Sequence, residues 1–121
     1  MSEAIGGPID PQAVAAAEQA MLTAEAERMA RRILDSLCDP TRLKIIRALR
    51  ETPLAASDIA RVIARSRAAT SQHLKILRAV DAVSAIRTGS VVRYRLSEKV
   101  SAEILDDIAR SFDRLEEEAT A

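Results

Sequence analysis

Between residues 57 and 96 the spacing of apolar side chains changes once, and that change leaves few folds open. Up to Val80 apolar residues recur at three- and four-residue intervals, the period of a helix packed on one side. From Val83 the chain alternates instead. Val83, Ala85 and Arg87 interleave with Ser84 and Ile86, Thr88-Gly89-Ser90 supplies a turn, and Val91-Val92-Arg93-Tyr94-Arg95-Leu96 returns with β-branched and aromatic residues. Alternation on both sides of a glycine-bearing turn predicts a β-hairpin over about residues 83–96. Just before it come two short helices, about Ser57–Ala64 and Arg67–Val80, with room between them for a tight turn only. Ile59, Val62 and Ile63 give the first an apolar side. Thr70, Leu74 and Leu77 face inward on the second, which Ser66 can cap by accepting backbone N–H bonds. Two short helices joined in this way form a helix-turn-helix unit, here about residues 57–80.

The flanks read as longer helices. Residues 1–9 include Gly6-Gly7-Pro8 and are expected to be a disordered tail. Asp10-Pro11 is a start signal, since Asp accepts from free N–H groups and Pro suits the first helical position. One helix is predicted from Pro11 to about Leu37, with Val14, Ala17, Met21, Ala26, Met29, Ile33 and Leu37 along a stripe. Asp39-Pro40 repeats the signal and opens a helix carrying Leu43, Ile46 and Leu49, which Thr52-Pro53 ends. A last helix, capped by Ser97 or Ser101, presents Ile104, Ile108, Phe112 and Leu115 at spacings of four, four and three. The expected fold is mainly α with a small β-hairpin wing, in the order α-α-α-α-β-β-α, over one domain of residues 10–121. A domain this small buries a modest share of its surface. Met21 and Met29 on the first helix and Ile104, Ile108, Phe112 and Leu115 on the last are therefore candidate dimer-interface residues.

Charge narrows the function. The chain is neutral overall, but residues 42–99 hold 13 basic and 4 acidic side chains, whereas residues 1–41 hold 3 and 7 and residues 100–121 hold 2 and 7. A basic middle between acidic ends points to one surface facing a polyanion. Tyr94 and Phe112 are the only aromatic residues, which argues against the stacking platforms that bind single strands or RNA. One cysteine, Cys38, excludes a disulfide within the chain and fits a reducing compartment. No apolar run is long enough to span a membrane, and the Met1-Ser2-Glu3 start lacks the basic region of a signal peptide. The expected location is the cytoplasm. No paired Cys and His, Gly-rich phosphate loop or HExxH spacing is present, so neither an enzyme nor a cofactor is expected.

Three stretches in order carry a resemblance. Leu37 to Leu43 reads Leu-Cys-Asp-Pro-Thr-Arg-Leu, Thr70 to Arg78 reads Thr-Ser-Gln-His-Leu-Lys-Ile-Leu-Arg, and Gly89 is followed by Tyr94-Arg95-Leu96. Together they resemble the second-helix opening, recognition helix and wing of the ArsR family of bacterial repressors, over roughly residues 30–97. The resemblance implies a homodimer built on its first and last helices. It implies recognition helices in successive major grooves of operator DNA and wings on the flanking backbone. It also implies repression relieved when an inducer binds or oxidises the protein. Metal-sensing members carry cysteine pairs at the second or third helix, or Asp and His on the last. Here the last helix, about Ser97 to Ala121, has neither His nor Cys, and no metal site is expected.

The residues suggest the same chemistry. The exposed face of the Arg67–Val80 helix should carry Arg67, Ala68, Ser71, Gln72 and Lys75. Gln72 can pair bidentately with adenine, Arg67 with guanine or a phosphate, and Ala68 can meet a thymine methyl. His73 is taken as a DNA or packing position. Arg87 and Arg93, near the hairpin tip, are phosphate candidates, while Arg95 lies further down and can pair with an acid. Arg42 is expected to be structural, paired with a nearby acid. Cys38 precedes a helix N-terminus, where the dipole favours a thiolate, and is the candidate redox residue. Two alternatives to an inducible DNA-binding regulator are a winged-helix interaction or dimerisation module without DNA binding, and a thiol-based redox-sensing repressor acting through Cys38.

Overall fold

A computed structural model describes residues 6–120. Residues 1–5 of the expected tail lie outside the described residues, and residues 6–10 form neither helix nor strand. The described residues divide into two compact units, one ending at Ala30 and one beginning at Arg31.

In the first unit α1 (Pro11–Gln19) begins as expected, with the Asp10 side chain accepting from the Ala13 N–H at 3.0 Å. The single helix predicted to reach Leu37 is interrupted, however. Ala20 and Met21 donate three residues back, to the Ala17 and Glu18 carbonyls, which tightens and ends α1. Thr23 then opens α2 (Ala24–Ser36): its Oγ1 accepts from the Ala26 N–H at 3.2 Å, with Glu25 and Glu27 in the first turn. A capping threonine followed by acids is a start signal, and the regular apolar spacing across it concealed the break.

The second unit takes residues 31–36 of α2, then α3 (Pro40–Glu51), β1 (Leu54–Ala55), α4 (Ala56–Ile63), α5 (Arg67–Ala79), β2 (Val83–Thr88), β3 (Val91–Leu96), α6 (Val100–Ser111) and α7 (Asp113–Ala119). Asp39 caps α3 by accepting from the Thr41 N–H at 2.8 Å, and Ser66 caps α5 by accepting from the Ala69 N–H at 3.0 Å. Ala64, between α4 and α5, has φ 56° and ψ 50°, the left-handed cap that ends a helix abruptly and is usually glycine. The strands form an antiparallel sheet in the order β1-β3-β2. Thr88 faces Val91 across a two-residue loop whose first member, Gly89, has φ +65°, as a tight hairpin turn requires. β1, two residues long, escaped the sequence pattern.

The core gathers Ile33, Ile45, Ile46 and Leu49 with Ile59 and Ile63 of α4, Leu74 and Leu77 of α5, Val83 of β2, and Leu105 and Ala109 of α6. The last helix differs from expectation in three ways. It is split at Phe112 into α6 and α7. Its N-cap is Lys99, while Ser101 is buried inside it and Ser97 accepts from the Lys99 N–H and donates to the Asp81 carbonyl. And α6 has two apolar stripes. Ser101, Ala102, Leu105 and Ala109 are buried in this unit, so the Ile104, Ile108, Phe112 stripe is the outer one.

Candidate nucleic-acid interface

α5 presents two faces. Thr70, Leu74 and Leu77 are buried, with the Thr70 hydroxyl donating to the Ser66 carbonyl at 2.8 Å. Arg67, Ala68, Ser71, Gln72 and Lys75 are exposed on the other side, at the spacing that puts them along one strip of helix surface. Among the described residues none of these five side chains has an ion pair or a hydrogen bond of its own. His73 departs from its neighbours. Its side chain is only 13% exposed; Nδ1 accepts from the Arg42 Nε at 3.2 Å, and Nε2 faces Asp39 Oδ2 at 3.7 Å. Of the two roles expected for His73, this geometry favours packing.

Several cations of the basic middle segment are engaged inside the fold. Arg42 was expected to meet an acid. Its partners are an imidazole and, through Nη1, the Ser36 carbonyl at 3.1 Å. Arg50 pairs with Asp106 at 2.7 Å and Arg47 with Asp113 at 2.8 Å, and Arg47 also donates to the Ala109 carbonyl. The acidic C-terminal segment thus neutralises Arg47 and Arg50 of α3. Among the described residues Arg67, Lys75 and Arg78 of α5 and Arg87, Arg93 and Arg95 of the hairpin make no such bond, and all six are exposed.

On the hairpin Arg87 and Arg93 are both exposed, but they occupy opposite faces. Arg87 stands opposite Val92, and Arg93 opposite Ile86. Since side chains alternate along a strand, Arg93 shares its face with Arg95, and Arg87 lies at the tip of the face that carries Val83 and Tyr94 toward the core. The two arginines therefore leave the hairpin on opposite sides. Between α5 and β3 runs a cleft of about 380 Å³ lined by Ser71, Leu74, Lys75, Arg78, Ala79 and Tyr94. Arg78 and Tyr94 were not among the sequence candidates. The signal for Arg78 was its place three residues after Lys75 and seven after Ser71.

The Asp39 carboxyl is held below its usual range. Its hydrogen bonds from Thr41, the backbone one first, are the main cause, and nearby His73 and Arg42 add to it against some desolvation. Cys38 is exposed on the connection between α2 and α3, with Sγ 3.9 Å from the Leu34 carbonyl. No described helix is long and apolar enough to cross a membrane.

The profile of a family described as bacterial regulatory protein, arsR family, matches residues 39–85, from the α3 cap into β2. The transcriptional regulator NmtR of Mycobacterium tuberculosis is 33% identical over 88 residues, which cover 73% of this chain and 73% of NmtR. The chain belongs to the ArsR family. The crystal structure of the transcriptional repressor BigR from Xylella fastidiosa superposes with a TM-score of 0.67 at 26% identity, over 76% of this chain and 90% of BigR. The homodimeric winged helix-turn-helix DNA-binding domain of Mb0332 from Mycobacterium bovis, at 22% identity, has the same fold (TM-score 0.67, covering 82% and 94%). This ArsR-family chain is thus a winged helix-turn-helix protein in which α4 and α5 are the helix pair and β2–β3 the wing.

Proposed function

We propose that this ArsR-family protein is a cytoplasmic homodimeric repressor that reads double-stranded operator DNA and is released by an inducer. In this reading α5 lies in the major groove. Gln72 and Arg67 meet base edges, Ser71 and Lys75 meet bases or phosphates, Ala68 offers a methyl surface, and the wing arginines Arg87 and Arg93 grip phosphates of the flanking backbone. One observation carries it: the exposed polar and basic side chains of α5 are uncommitted, while Arg47 and Arg50 of α3 are already paired with acids within the fold. A helix face that only met solvent would gain by such pairing too. Similarity to BigR, described as a repressor, and to NmtR, described as a transcriptional regulator, supports the same reading.

The outer stripe of α6 and α7 is proposed as a dimer surface, with Ile104 39%, Phe112 44% and Leu115 63% exposed beside Ile108. In the N-terminal unit Met21 and Met29 are exposed as well and are assigned the same role. A reporter gene placed behind the DNA upstream of the coding region tests the proposal. The wild-type chain should silence it, and undiminished expression would contradict repression. Exposure of Cys38 favours a second reading, in which oxidation of that thiol supplies the release signal. Cys38→Ser should then abolish the oxidant response of the reporter, and an unchanged response would remove the idea.

A further inference from the structure

Two arginines tie the recognition helix to the end of α2. Arg42, in the first turn of α3, donates in two directions: Nη1 to the carbonyl of Ser36, the last residue of α2, at 3.1 Å, and Nε to Nδ1 of His73, in the middle of α5, at 3.2 Å. Arg32, one turn before the end of α2, donates Nη2 to the carbonyl of Ala79, the last residue of α5, at 2.8 Å. Ser36 and Ala79 are helix-terminal carbonyls without an intrahelical partner, and a cation beside each complements the negative end of its helix dipole. Because Nδ1 of His73 accepts from Arg42, the neutral ring carries its proton on Nε2, the nitrogen facing Asp39.

We propose that Arg32 and Arg42 are positioning residues for DNA reading, acting through Ala79 and His73. They hold α5 at two points, so its outer face is presented at one angle and a displacement of residues 31–36 is carried to the recognition helix. The two points are six residues apart, about 9 Å along a helix, which fixes orientation where a single contact would leave a pivot. A tilt of about 10° about Ala79 would move Arg67, about 18 Å away, by about 3 Å, more than a base-edge hydrogen bond tolerates. The inference rests on the operator-binding reading and adds to it a role for residues that touch no DNA.

His73 is the only histidine. The charged groups beside it are Arg42 of α3 and Asp39 at the α3 cap, with Arg65 nearby through its bond to the Thr41 hydroxyl.

The test compares wild type, Arg42→Ala, Arg42→Lys, Arg32→Ala and His73→Gln for binding to the chain's upstream DNA and to random DNA over a salt series. Arg42→Ala and Arg42→Lys should each lose about tenfold or more in specific affinity, with random-DNA binding and the salt slope unchanged, because one ammonium cannot span both acceptors. His73→Gln, whose amide oxygen can accept from Arg42, should keep specific affinity. Equal loss on both DNAs with a slope lower by about one would make Arg42 a phosphate contact and overturn the proposal. Undiminished specific affinity in Arg42→Ala would overturn it as well. If Arg42→Ala fails to fold, Arg42→Lys and Arg32→Ala carry the comparison, and each should lose specific affinity with random-DNA binding unchanged. If wild type itself does not prefer its upstream DNA, the operator reading falls, and the tie is read without DNA. Amide exchange over residues 67–79 should then be faster in Arg42→Lys than in wild type, and equal rates would overturn it.

Discussion

Replacing Phe112 by Asp should dissociate the proposed dimer, and its size can be worked out. Phe112 sits at the junction of α6 and α7 and is 44% exposed, its inner edge lining an apolar cleft with Leu43, Arg47 and Leu115. A buried phenylalanine covers about 200 Å², so about 90 Å² stays wet in one protomer. In a twofold interface the same patch is covered on both copies, removing about 180 Å² of apolar surface. At about 25 cal/mol per Å² that is about 4 kcal/mol, a factor of about a thousand in the dissociation constant, before any cost of burying two carboxylates. Sedimentation velocity over a concentration series should show monomers where wild type is dimeric. Circular dichroism should show an intact helical fold, since the change falls on the outer stripe. Leu105→Ala is the contrasting control. Leu105 is fully buried in the core, and its truncation should lower stability by about 2–5 kcal/mol at every protein concentration. A folded Phe112→Asp protein that remains as firmly dimeric as wild type would refute the assignment of the outer stripe.

Gln72→Ala should cost about 1–3 kcal/mol on operator DNA and relax preference at one base pair; equal loss on random DNA would count against base contact. Arg93→Ala should weaken binding to all sequences and lower the salt slope by about one, and an unchanged slope would leave Arg93 without a phosphate. Asp39 has a carboxyl pKa lowered by the Thr41 hydrogen bonds. Its contribution to stability is therefore fully present above its unfolded-state pKa, near 3.9, and is lost as pH falls through the lower folded value. Asp39→Asn, which keeps the cap without titrating, should show a flatter acid unfolding profile below about pH 4; identical profiles would argue that the cap does not hold the carboxylate.

Much of this architecture was legible because its signals are local. Asp10-Pro11, Asp39-Pro40 and Ser66 mark helix starts by side-chain capping, and the structure shows each bond. Gly89 marks the hairpin because few other residues accept its φ. What stayed hidden depends on partners distant in sequence. Leu105 and Ala109 face the core because α3 packs there, and spacing alone could not say which of two stripes on α6 turns inward. The inward turn of His73 follows from Arg42, 31 residues earlier. The pairing of Arg47 and Arg50 with Asp113 and Asp106 joins residues more than fifty apart. The placement of Arg87 and Arg93 on opposite faces was open to counting once a two-residue loop was assumed, since that register sets Arg93 against Ile86.

The central claim, that the outer face of α5 and the wing read operator DNA, is tested most directly by binding. The purified chain should be titrated onto its own upstream DNA and onto random DNA of equal length at two salt concentrations. The account predicts tight binding to the upstream DNA, weakening steeply with salt, and a preference over random DNA of at least about a thousandfold. Equal affinity for both DNAs, or none for either, would contradict it.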